Sequence, residues 1–218
     1  MSYQLNNNVA IISIDDGKAN AVNHNFIDQL YANLDRAEKE ASAVILTGRE
    51  GMFSAGFDLK ALQVSPEAAT ELVGRGMEML TRLYEFPLPL ISACAGHAIG
   101  MGAFLLMASD NRIGAEAEYQ VTLPETAISM GFTQVLLTLI HDRIASSHKT
   151  TAMIQSTPHT AQQAVPAGFL DEVVAADQLM DRAQALAEKL TELPKEFYAL
   201  NKRDLRAASL KAMHDSLK

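Results

Sequence analysis

The stretch that most constrains this chain runs from Leu88 to Ser109. An apolar run, Leu88–Ala95, passes through Gly96-His97-Ala98-Ile99-Gly100-Met101-Gly102 directly into a second apolar segment, Ala103–Ser109. The first run reads as a buried strand and the last as a buried helix, joined by glycines that let the backbone approach its surroundings closely. A loop that enters a helix this way leaves free N–H groups at the positive end of the helix, a place suited to an oxyanion. Phosphate binding is the competing use. The Gly-x-x-x-Gly-x-Gly spacing fits neither the dinucleotide fingerprint nor the P-loop, which ends in Gly-Lys followed by Ser or Thr. Close packing of helix on strand is the purely structural alternative, and these residues alone leave it open.

The rest of the chain repeats the strand-then-helix pattern. Val9–Ile14 is a β-branched, apolar run closed by Asp15-Asp16-Gly17, and the following helix carries Phe26, Leu30 and Leu34 at four-residue spacing, with Asn23 or Asn25 as its cap. Ala43–Thr47 predicts a second strand, leading into a loop over Arg49–Asp58. The helical pattern from Pro66 to about Tyr84 starts with proline in its first turn. Further strands are expected at Asn111–Ala115 and at Gly168–Val174, after a turn at Pro166. Helices are expected over Thr133–Asp142, Ser147–Gln155, Asp177–Leu193 and from Lys195 to near the end. Strands alternating with helices favour βαβ units and a largely parallel sheet.

Composition narrows the partners. With 218 residues, 48% hydrophobic, the chain is expected to form one domain, with a spiral α/β core over about 1–142 and a mainly helical region over about 143–218. A net charge of -8 argues against a nucleic-acid partner. Met1–Asn8 lacks the basic-then-apolar order of a signal peptide and no apolar run reaches membrane-spanning length, so a cytoplasmic protein with no membrane partner is expected. Cys94 is the single cysteine and sits among apolar residues, which predicts an inert buried thiol. His141, His148 and His159 show no ligand spacing, so no metal is expected.

A second loop, Phe53-Ser54-Ala55-Gly56-Phe57-Asp58-Leu59-Lys60, follows a strand and is small enough for its amides to face a ligand, although an ordinary turn would read the same way. Taken in order with Lys18–Val22, Val44–Gly48, Ile91–Gly102, Ser109–Ile113, Leu123-Pro124-Glu125 and Ala164–Val174, these stretches resemble the crotonase (enoyl-CoA hydratase/isomerase) superfamily along most of the chain. The resemblance implies a crotonase-like α/β fold of repeated ββα units in a spiral, with C-terminal helices that build a homotrimer or a dimer of trimers and help close a neighbouring site. It also implies an acyl-CoA thioester as substrate, with coenzyme A part of that substrate and no separate cofactor.

By the same resemblance the N–H groups of Ala55 and Met101 hold the thioester oxygen. The backbone around Ala19, Ser54 and Asp58 surrounds the adenine and pantetheine, Lys18 and Lys60 lie near the phosphates, and Gly56, Phe57, Gly100 and Phe104 line the site. Family hydratases carry two glutamates; here one position is Phe104 and the other is Glu125. From the residues alone, Glu125 reads equally as a surface or helix-capping acid. A lone carboxylate suits moving a proton between two carbons, so a shift of the double bond from the 3- to the 2-position is the leading expectation. Hydration of a 2-enoyl-CoA and non-catalytic acyl-CoA binding are the alternatives. His97 is read as a packing residue and Asp110 as a structural hydrogen-bonding group.

Overall fold

A computed structural model describes residues 1–218. Two sheets share the core. The larger has the order β1 (Ser2–Asn6), β2 (Val9–Ser13), β3 (Ala43–Thr47), β5 (Leu90–Cys94), β7 (Asn111–Glu116), β10 (Glu172–Ala175), and only β1 is antiparallel to its neighbour. The smaller contains β4 (Gly51–Ser54), β6 (Gly96–Ile99), β8 (Gln120–Thr122) and the antiparallel two-residue β9 (His159–Thr160). Each of β3, β5 and β7 is followed at once by a strand of the smaller sheet, and a helix then carries the chain back. This is the spiral of ββα units expected from the sequence.

The helices are α1 (His24–Glu40), α2 (Leu59–Leu62), α3 (Pro66–Glu85), α4 (Met101–Ala108), α5 (Gln134–Arg143), α6 (Ala161–Ala167), α7 (Leu179–Thr191), α8 (Lys195–Leu205) and α9 (Ala207–Ser216). Asn23, not Asn25, caps α1 by accepting the Phe26 N–H, and Ser65 caps α3 ahead of Pro66. The centre of the larger sheet is covered on both faces, which is why β3 and β5 read as near-continuous apolar runs, while β1 at its edge is largely exposed. Ala43, Ile45, Ile91 and Ala93 face α7 through Leu179, Ala183 and Ala187, while Val44, Leu46 and Leu90 join the main core.

Several expected boundaries move for identifiable reasons. The segments read as the loops Arg49–Asp58 and Gly96–Gly102 each begin with a four-residue strand, too short and too glycine-rich to show a period of two. Pro166 lies in the last turn of α6, and Gly168, at φ 94°, ends that helix. The amides of Gly168, Phe169 and Leu170 all donate to the Ala164 carbonyl, so the next strand starts only at Glu172. The expected helix at Ser147–Gln155 is confined to a π-helical turn, Thr150–Ile154.

The C-terminal helical run is broken at Arg206, whose guanidinium turns inward to Asp110 and the Tyr84 carbonyl. Asp110 also accepts from Lys202 Nζ at 2.7 Å, Tyr198 at 2.9 Å and the Leu90 amide at 3.0 Å. This buried cluster fastens α8 and α9 to the start of β5. Burial pulls Lys202 down to about 8, with the Asp110 carboxylate opposing that fall. Through Leu210 and Met213, α9 joins the main core and packs against α3 and α5 of its own chain, so these helices close their own subunit's core.

Candidate active site

The two sequence-marked loops meet at a cavity of about 300 Å³. Its walls are apolar: Leu62, Val73 and Met77 from α2 and α3, Met101 and Phe104 from α4, and Ile128, Met130 and Leu136 beyond the Pro124-Glu125 turn. The Thr133 hydroxyl donates to the Met77 sulfur at 2.9 Å and ties the last of these walls to α3.

One ionisable side chain lines this cavity, that of Glu125. It is 7% exposed and its Oε2 has no hydrogen-bond partner. Desolvation pushes its pKa up to about 7, partly offset by its own backbone N–H. The turn that carries it is tightly held, because the Glu125 carbonyl accepts from Ile128 at 3.2 Å and Met130 at 2.8 Å. Glu125 is therefore neither a surface acid nor a helix cap. Phe104 is fully buried, lines the same cavity and packs edge-on against Phe132 at 6.4 Å between ring centroids.

Gly100 stands at φ 52°, a conformation that glycine reaches without strain. A Cβ there would point at the Glu125 carboxyl, 3.4 Å from Oε1. The next residue, Met101, is the first of α4, and its N–H has no intrahelical acceptor. Gly56, at φ 90°, is packed against that amide: a Cβ on it would lie 3.4 Å from the Met101 nitrogen and 2.7 Å from the Ile99 carbonyl oxygen.

The Phe53–Lys60 loop departs from expectation at its donor. The Ala55 N–H is bonded to the Ala19 carbonyl at 2.9 Å and so is not available to a ligand. Gly56 donates to Ser54 Oγ, and Asp58 donates to the Val22 carbonyl. Phe57 is the residue between them whose N–H meets no backbone acceptor. The free amide of this loop thus belongs to Phe57, two residues further on than the sequence reading placed it. Ser54 is fully buried, and its hydroxyl donates to the Asn20 carbonyl at 2.8 Å, so its side chain buttresses the loop.

The remaining candidates fall around the entrance. Lys18 and Lys60 are exposed, Ala19 is half-buried, and Asp58 caps α2 by accepting the amides of Lys60 and Ala61. Asn20 was not among the expected site residues; it stands at φ 52° with its side-chain amide nitrogen donating to the Ile14, Met52 and Phe53 carbonyls, pinning the Lys18–Val22 segment to the Phe53–Lys60 loop. An Asp15-Asp16-Gly17 turn followed by Asn was its only local signal. His97 Nδ1 accepts the Gln120 amide at 3.2 Å and joins β6 to β8. Cys94 is buried, its thiol pushed up to about 12 by desolvation.

The sequence profile of the enoyl-CoA hydratase/isomerase family matches residues 4–218. A probable enoyl-CoA hydratase from Bacillus subtilis is 32% identical over 195 residues, covering 84% of this chain and 73% of that protein. The crystal structure of an enoyl-CoA hydratase/isomerase family protein from Pseudomonas syringae superposes with a TM-score of 0.96 at 35% identity, covering 99% of this chain and 94% of that one. An apo enoyl-CoA isomerase from Mycobacterium tuberculosis gives 0.94 at 34% identity, covering 99% of this chain and 95% of the other. The chain belongs to the enoyl-CoA hydratase/isomerase family and is an enzyme of the crotonase superfamily. This family acts on acyl-CoA thioesters. No helix is long and apolar enough to cross a membrane.

Proposed function

We propose that this enzyme shifts the double bond of a 3-enoyl-CoA to the 2-position, with Glu125 carrying the proton. The observation behind this reading is that Glu125 is the one carboxylate on an otherwise apolar cavity, with Phe104 at the position where a second would stand. Ionised Glu125 takes a proton from the α-carbon, the electrons move through the thioester as a dienolate, and the same carboxyl returns the proton to the γ-carbon. Negative charge develops on the thioester oxygen. The N–H groups of Met101 and Phe57 are the donors we assign to it, and one such donor typically lowers the barrier by about 3–4 kcal/mol.

The proton transfers call for no separate cofactor, so coenzyme A enters as part of the substrate. Lys18 and Lys60, exposed beside the loop, are proposed to meet its phosphates, with the backbone at Ala19 and Asp58 along its length. The exposed apolar residues of α8, Phe197, Leu200 and Leu205, are proposed to meet other copies of the chain in a trimer or a dimer of trimers.

Supplying purified enzyme with 3-enoyl-CoA and 2-enoyl-CoA separately tests the reaction. Conversion of the first to the second is expected, and hydration of the second without isomerisation of the first overturns the proposal. The hydratase reading draws support from the name of the Bacillus subtilis relative. Solvent oxygen in a 3-hydroxyacyl product would identify it.

A further inference from the structure

We propose that Gly76, in the middle of the twenty-residue helix α3, sets the length of acyl chain the cavity accepts. This rests on reading the cavity as an acyl-thioester site. Glycine inside a helix costs about 0.5–1 kcal/mol relative to alanine, so a buried one calls for a packing reason. At Gly74, two residues earlier, a Cβ would meet nothing within 4 Å. At Gly76 it would lie 2.5 Å from Phe57 Cζ and 2.9 Å from Met101 Cε. Gly76 is therefore the notch in which the side chains of both residues with free amides are seated. The two donors and the acyl wall meet on one helix.

The backbones of those residues are fixed. The Val22 amide donates to Gly56 at 2.8 Å, the Asp58 amide donates to Val22 at 2.9 Å, and Met101 begins α4. When the notch is filled, the side chains yield and the amides stay. The Met101 thioether is the most adaptable part, with three rotatable bonds, while the Phe57 ring turns as a rigid plate. Met101 is 3% exposed, belongs to the main core and also lines the cavity, which is the space we assign to its displaced methyl. A short acyl chain never reaches the displaced methyl, whereas a longer one competes with it.

Binding of saturated acyl-CoA esters to Gly76→Ala, followed by calorimetry, tests this without turnover. Butanoyl-CoA is expected to bind as in the wild type and octanoyl-CoA about tenfold more weakly, since one methyl group in an apolar pocket changes affinity by roughly this factor. Adding Met101→Ala to Gly76→Ala is expected to recover part of the octanoyl-CoA binding, the overlap with the Phe57 ring remaining. Met101→Ala alone, which needs no tolerance of a larger residue in α3, is expected to move the preference toward dodecanoyl-CoA. Equal weakening of both esters, an unchanged length profile in Gly76→Ala, or an unchanged profile in Met101→Ala overturns the assignment. Normal length-dependent binding by an enzyme that does not isomerise would refute the proposed reaction and leave the role of Gly76 standing.

Discussion

Glu125→Gln keeps the shape of the side chain and removes its charge, so it separates the energetic cost of the buried carboxylate from its chemistry. Moving this carboxyl from 4.5 to about 7 corresponds to roughly 3 kcal/mol of disfavoured ionisation. Because the folded-state pKa is raised, the folded chain holds a proton that the unfolded chain has released between these values. The contribution of Glu125 to stability is accordingly greatest below about 4.5, falls as pH rises through about 7, and levels off above it. In Glu125→Gln this slope disappears, so the variant should gain about 3 kcal/mol relative to wild type across that window, whatever the amide itself costs. Urea unfolding of both proteins at matched pH values measures the difference.

Activity should move the other way. The wild-type kcat/KM for isomerisation should climb about tenfold per pH unit up to a plateau above about 7. The variant should lose at least about 10²–10⁴-fold. Parallel stability curves for the two proteins, or a rate profile that stays flat well below 7, would refute the claim that a desolvated Glu125 is the base.

Met101→Pro removes one N–H at the first position of a helix, where the proline backbone is accepted, and also deletes a buried side chain. Set against Met101→Ala, which loses the same core packing for about 2–5 kcal/mol but keeps the amide, its kcat should be lower by about 10²–10³-fold. Asp110→Asn leaves Lys202 and Arg206 buried without a counter-charge and should destabilise by about 3–5 kcal/mol in urea titration. Phe197→Glu places a charge on the exposed apolar face of α8 and should reduce the mass seen by light scattering toward that of a monomer.

The parts of this fold legible in the sequence are those set by local chemistry. Ala43–Thr47 appears as expected because both of its faces are buried, and α3 begins as expected because Ser65 and Pro66 are a cap and a first-turn residue. The short strands β4, β6 and β8 were hidden because they exist through pairing with one another, a long-range property. The site divides the same way. Glu125, Phe104 and Met101 could be picked out by motif, and all three line one cavity. Which amide of the Phe53–Lys60 loop is free could not be read, since it depends on Ala19 and Val22, more than thirty residues away, capturing the amides of Ala55 and Asp58. Gly76 gave no signal at all, because the two side chains that require it come from other elements.

In the proposed reaction one carboxyl both removes and returns the proton. The most direct measurement uses 3-enoyl-CoA deuterated at the α-carbon, with the 2-enoyl product followed by NMR at the earliest turnovers in ordinary water. A shuttle through Glu125 delivers part of the label to the γ-carbon of the product. An unlabelled γ-carbon in the product, together with recovered substrate that has kept its full α-deuterium, would contradict the single-carboxyl shuttle, because one carboxyl that exchanged with water would also wash label out of the substrate.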